Sequence, residues 1–141
     1  MELMKSGISE DNVMGLPDKD LTAGIIAAAI AVHKALGPGF LESIYEEALC
    51  IELSLQNIPF ERQKSILLTY QERPIGEHRL DLLVAGLAVV ELKAIKAFDP
   101  VHFSIVRSYM KATQTNTGLL LNFASMPLTV KRVARENYQP S

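Results

Sequence analysis

Three charged residues stand where apolar β-formers would otherwise continue. Asp81 falls inside the run Leu80-Asp81-Leu82-Leu83-Val84, and Glu91 and Lys93 interrupt Val89-Val90-Glu91-Leu92-Lys93. Residues two apart on a strand share a face, so Glu91 and Lys93 point the same way. Burying a carboxylate or an ammonium among valines and leucines is costly unless the charges pair or bind a cation. The spacing leaves two readings open. One is a cation site; the other is a strand end where both side chains reach solvent, or a structural Glu–Lys pair.

A shared site depends on strand register. The two runs are joined through Ala85-Gly86, which reads as a hairpin. A strict two-residue turn would set Asp81 opposite Val90 and send Glu91 to the other side of the sheet. A three-residue loop over 85–87, or a bulge, would place Asp81 directly across from Glu91. Only the second arrangement lets both carboxylates serve one ion.

The elements that must position these groups follow from the rest of the chain. Residues 1–19 mix Ser, Gly, Asn, Asp and Pro without a period and read as a flexible tail; residues 137–141 read as a second tail. A helix is expected from Asp20 or Thr22 to the Gly37-Pro38-Gly39 stop. A second runs over about 40–56, with Leu41, Ile44, Ala48, Ile51 and Leu55 forming an apolar face. Residues 62–70 are rich in β-formers, and 71–76 hold the turn residues Pro74 and Gly76. Residues 80–84 and 87–92 are apolar on both faces apart from their charged members, as interior strands are. Asp99-Pro100 opens a helix reaching about Ala112. Residues 117–123 form another strand, and 128–133 a last strand or a short helix. The order is α-α-β-β-β-α-β-(β or α), one domain over 20–136.

Composition narrows the class. The 141 residues are 48% apolar and 21% charged, which is globular rather than disordered. The single Cys50 cannot form an internal disulfide, and a buried thiol in a reducing cytoplasm is the expectation. No signal peptide is visible, and the longest apolar stretch, over 23–32, is far short of a membrane span. The net charge of −2 argues against a strongly basic nucleic-acid coat, although a local basic groove can coexist with it.

Two motifs carry a family resemblance. Asp81, nine residues, then Glu91-Leu92-Lys93 resembles the D…ExK signature of the PD-(D/E)xK phosphodiesterases. The stretch Leu36-Gly37-Pro38-Gly39-Phe40-Leu41-Glu42-Ser43-Ile44-Tyr45 resembles the hallmark of the bacterial and archaeal GxxExxY proteins, with Gly39, Glu42 and Tyr45 at the named positions. Val32-His33 and Gly118-Leu119-Leu120-Leu121-Asn122-Phe123 also look like that family, so the resemblance covers roughly 21–133. It implies an α/β fold with a restriction-endonuclease-like PD-(D/E)xK core, a central mixed β-sheet flanked by helices. It further implies that Asp81, Glu91 and a nearby carbonyl hold Mg²⁺ (Mn²⁺ substituting), that Glu42 completes the metal site, and that Lys93 positions the attacking water. Hard oxygen donors suit Mg²⁺.

Supporting roles are expected of Tyr45, Glu46, His33 and Tyr109. Three of them have a plainer reading: Glu46 (with Glu47) solvated, Tyr45 a packed aromatic with its hydroxyl satisfied, His33 a hydrogen-bonded core histidine. One departure stands out. Family members carry a glutamine four residues before the tyrosine that Tyr109 matches, and here that position is Ile105. Arg107 and Lys111 on the same helix are the phosphate-binding candidates in its place, against the usual solvated reading. His78 and His102 have no metal-like partners in sequence, so zinc is not expected.

The function so implied is a Mg²⁺-dependent phosphodiesterase acting on DNA, with RNA second. The alternative is an inactive module of the same fold that binds nucleic acid or a protein partner; Ile105, the lack of a separate recognition domain and the mildly acidic charge point that way. A third reading is a half-site that works only as a homodimer or with a larger partner, since specific DNA interfaces often bury more than about 1,000 Å² of protein surface.

Overall fold

The computed structural model describes residues 17–135. Of the tails expected over 1–19 and 137–141, residues 1–16 and 137–141 lie outside the described residues, and residues 17–19 are helical. Helix α1 spans Pro17–Leu36 and α2 spans Glu42–Leu55; strands β1 (Phe60–Tyr70), β2 (Arg73–Val84) and β3 (Ala88–Lys93) follow. Helix α3 (Pro100–Thr113) then leads to β4 (Thr117–Asn122) and β5 (Thr129–Val133). The last segment is therefore a strand.

The five strands lie in the order β1-β2-β3-β4-β5. All neighbours are antiparallel except β3 and β4, which are parallel. A parallel pair needs a crossover, and α3 supplies it. Two cores result. Leu21, Ile25 and Val32 of α1 and Tyr45, Leu49 and Leu53 of α2 pack with Leu82, Val84, Val90, Leu119 and Leu121 on one face. Val106, Tyr109 and Met110 of α3 pack with Leu80, Leu83, Val89 and Leu120 on the other. Strands β3 and β4 are thus covered on both faces, as their unbroken apolar runs require.

Three features differ from expectation. Helix α1 begins at Pro17, not at Asp20 or Thr22, because proline suits a first helical turn whose N–H groups have no partner anyway. Helix α2 buries Tyr45, Glu46, Leu49, Cys50 and Leu53 and leaves Leu41, Ile44, Ile51 and Leu55 exposed. It carries two apolar stripes, and the one that holds the aromatic ring faces the core. The turn expected over 71–76 is only Gln71-Glu72, both in the left-handed region (φ 53° and 63°). Pro74 and Gly76 lie inside β2, in a stretch paired with β1 alone, so the missing proline N–H breaks no ladder on the other side.

Candidate metal centre

Strands β2 and β3 pair Val84 with Ala88, Leu83 with Val89 and Leu82 with Val90. The connection is the three-residue loop 85–87, with Ala85 (φ 54°) and Gly86 (φ 68°) left-handed. One step further along this register sets Asp81 opposite Glu91. There the side chains take over from the ladder. Asp81 N donates to Glu91 Oε1 at 2.8 Å, and Leu92 N donates to Asp81 Oδ2 at 2.9 Å. Each carboxylate is held by a main-chain amide of the opposite strand.

The same row carries a second irregularity. Leu82 and Val84 lie in the core beneath α1 and α2, whereas Leu80 lies in the core beneath α3. On β1, Phe60 packs on the first core and Ile66 belongs to the second. A regular strand would keep residues of one parity on one face. Both strands therefore exchange faces between these points, and Gln63, opposite Asp81 in the β1–β2 register, is left-handed with φ 50°. For a residue with a side chain such a backbone costs on the order of 1–3 kcal/mol, and it persists where the surroundings hold it.

Electrostatics single out the pair. Glu91 is 6% exposed. Burial, then the Asp81 charge, push its carboxyl up to about 8, with Glu42 adding to the rise and Lys93 opposing it. Asp81 is also raised, first by burial; the Leu92 amide and Lys93 pull the other way. The Tyr109 hydroxyl is raised by burial and then by the charges of Glu91 and Asp81. A buried and a half-buried carboxylate that repel one another call for a positive charge.

The other expected residues divide. Glu42, the first residue of α2, turns Oε2 to the Ala94 amide at 3.1 Å, just past β3. Among the described residues no group of three or more His, Cys, Asp or Glu side chains is gathered to hold a metal ion. The expected Asp81, Glu91 and Glu42 carboxylates are not gathered as such a group, and each accepts one backbone amide. Lys93 lowers the pKa of both site acids but forms no ion pair with them; the ion pairs among the described residues are Arg62 with Glu46 and Glu47, and Lys64 with Glu61.

Glu46 is not solvated. It is buried, Arg62 Nη2 lies 3.1 Å from its Oε2, and Gln63 Nε2 donates to its Oε1 at 2.9 Å. Tyr45 follows the plainer reading: its hydroxyl donates to Gly37 O at 2.6 Å and accepts from Phe40 N at 3.1 Å, and its ring stacks on Phe123 at 4.6 Å. It clamps the Gly-Pro-Gly turn from which α2, and so Glu42, departs. His33 Nε2–H donates to Ser125 O at 2.9 Å and is buried, so it holds the loop between β4 and β5. Tyr109 meets His78 across 3.4 Å. Arg107 lies against Ser104, Lys111 is exposed, and Ile105 packs against the α3 core, where an apolar side chain belongs.

Two participants escaped the sequence reading. Gln63 Nε2 reaches Asp81 Oδ1 at 3.4 Å as well as Glu46, and nothing in a run of β-formers marks it. Asn122, 3% exposed, bonds Ile95 N and O and Ala124 N, tying the segment after Lys93 to the end of β4. Its place in an apolar strand was the available signal.

A model of the PD-(D/E)XK nuclease superfamily matches residues 19–133, and the chain belongs to that superfamily. The five-stranded mixed sheet flanked by three helices is consistent with its restriction-endonuclease-like core. Nucleases of this class typically use divalent metal ions. No curated protein matches the chain. A solved structure described as "Crystal structure of SSO0001" superposes with a TM-score of 0.53 at 12% identity, over 85% of this chain and 60% of that one. At that identity the likeness is one of fold, and this chain spans 60% of the other's length. Among the described residues no helix is long and apolar enough to cross a membrane.

Proposed function

We propose that this protein is a Mg²⁺-dependent nuclease of the GxxExxY group that hydrolyses phosphodiester bonds of DNA in the cytoplasm. The observation that carries this reading is the reciprocal seating of Asp81 and Glu91 across β2 and β3. The donor set fits a hard divalent cation: two carboxylates, one deeply buried, with Glu91 pushed up to about 8. Asp81 and Glu91 would hold the ion, Glu42 would join them on leaving the Ala94 amide, and Mn²⁺ would substitute for Mg²⁺. Once bound, the ion supplies polarisation of the scissile phosphate and a more acidic water. Lys93, on the face of β3 that carries Glu91, orients the attacking water and balances charge on the phosphate. Tyr109 lines the same side. The reducing compartment suits a free Cys50 whose thiol burial pushes up to about 11, which makes it inert as a nucleophile.

A second reading is an inactive module that binds nucleic acid or a protein partner. Ile105 favours it, since an apolar side chain cannot orient water, and so does the unassembled carboxylate set. Metal-dependent cleavage of single-stranded, duplex and branched DNA separates the two. The nuclease reading expects cleavage that Lys93→Ala lowers by about a hundredfold or more. No cleavage of any substrate with Mg²⁺ or Mn²⁺ would establish the module.

A further inference from the structure

Gln63 occupies the one position on β1 opposite Asp81, and it does so in a backbone conformation that glutamine disfavours. Its amide nitrogen lies between two carboxylates, 2.9 Å from Glu46 Oε1 and 3.4 Å from Asp81 Oδ1. Glu46 is in turn fixed by Arg62, whose Nε and Nη2 both donate to Oε2, at 3.2 and 3.1 Å. The chain of contacts runs Arg62, Glu46, Gln63, Asp81. It links the buried middle of α2 to one oxygen of Asp81, while the Leu92 amide holds the other.

A neutral donor is what this position requires. Glu46 and Asp81 repel each other, and a lysine here would form an ion pair that competes with any bound cation. An amide satisfies both oxygens and leaves the charge of the site unchanged. The left-handed backbone at Gln63 coincides with the face exchange of β1, so the strained residue and the aimed side chain are one feature.

The geometry points to Gln63 as a positioning residue of the metal centre, whose side-chain amide, anchored by Glu46, aims the Asp81 carboxylate at the cation shared with Glu91. This rests on the nuclease reading above. The test uses the full chain and Gln63→Gly, because glycine adopts a left-handed backbone freely and removes the side chain that carries the amide. Mn²⁺ affinity is read by electron paramagnetic resonance, stability by metal-free melting, and activity as kcat and KM on cleaved DNA. Gln63→Gly is expected to melt at or above the wild-type temperature, yet to bind Mn²⁺ about tenfold more weakly and to lose about tenfold in kcat with KM little changed. Glu46→Gln should weaken Mn²⁺ binding alone and add nothing in the Gln63→Gly background, since both act through one contact. Should Gln63→Gly fail to fold, Gln63→Asn, which tolerates the same backbone but falls a methylene short, carries the same expectation. Wild-type Mn²⁺ affinity and kcat in these variants, with an active parent, would overturn this inference alone. In a parent that binds Mn²⁺ without cleaving, unchanged affinity in the variants overturns it equally. A parent that neither binds Mn²⁺ nor cleaves would overturn the metal centre and this inference together.

Discussion

Leu80 and Leu82 are separated by a single residue of β2, yet Leu80 packs beneath α3 and Leu82 beneath α1 and α2. The residue between them is Asp81. Because the strand turns over at this point, the Asp81 side chain belongs to neither core and reaches along the sheet to the Leu92 amide. The strand's departure from regularity is thus what keeps a carboxylate out of both apolar layers and opposite Glu91.

The buried Glu91 beside Asp81 makes the metal-free protein sensitive to pH. Between its ordinary value of 4.5 and its folded value of about 8, Glu91 keeps in the folded state a proton that the unfolded chain releases. Stability from this group is full below the lower value and is lost as pH rises through the higher one. Urea unfolding in chelator should show stability falling across that window. Glu91→Gln, which cannot ionise, should flatten the slope; an identical slope in the variant would contradict the assignment.

Metal should reverse that loss. A ligand that binds only the folded state at a hundredfold over its Kd adds about 2.7 kcal/mol. Millimolar Mg²⁺ or Mn²⁺ should therefore raise the melting temperature by several degrees, and more at pH 8 than at pH 6, where Glu91 is mostly protonated. Asp81→Asn and Glu91→Gln should each abolish the shift. A shift that survives both substitutions would place the ion elsewhere.

Tyr45→Phe keeps the stack on Phe123 and removes the hydroxyl that joins Gly37 O to Phe40 N. Leaving those two groups without their partner should cost about 1–2 kcal/mol, read by chemical denaturation. Cleavage should fall only modestly, since the substitution loosens the turn before Glu42 and leaves Asp81 and Glu91 untouched. A loss as large as that of Lys93→Ala would instead bring Tyr45 into the chemistry.

Gly118 is the second residue of β4 and lies beneath α3, where an added Cβ would lie 2.7 Å from Met110 Sδ, 2.8 Å from Val106 Cγ1 and 3.3 Å from Val133 Cβ. Gly118→Ala should destabilise by about 1–3 kcal/mol by forcing α3 off the sheet. A melting temperature equal to wild type would mean that Met110 and Val106 yield freely.

Much of this was legible in the sequence, and the parts that were not have physical reasons. The Gly-Pro-Gly stop, the Asp99-Pro100 start and the apolar runs of β3 and β4 carry strong local signals, so the element order could be read directly. The register of Asp81 against Glu91 could be posed as a choice of loop length, and the loop is the three-residue one. The face exchange could not be read, because it depends on Gln63 adopting a left-handed backbone that tertiary contacts impose. The turn at Gln71-Glu72 escaped for a similar reason: neither residue favours positive φ, while Pro74 and Gly76 nearby advertise a turn that is not there. On α2, Leu41 and Ile44 compete with Tyr45 and Leu49, and periodicity cannot say which stripe meets the sheet.

The long β1–β2 hairpin outruns β3, and its outer part exposes Leu67, Tyr70 and Ile75 with no third strand beside it. Such a ribbon would ordinarily recruit strands from other molecules and grow into fibres. Here each rim is interrupted. The Leu68/Thr69 register shift disturbs the β1 rim, Pro74 withholds a donor from the β2 rim, and the left-handed Gln63 bends β1 again near its root. The bend that serves the carboxylate pair also keeps β1 from being a straight template, so straightening it would trade a well-aimed acid for a protein prone to polymerise.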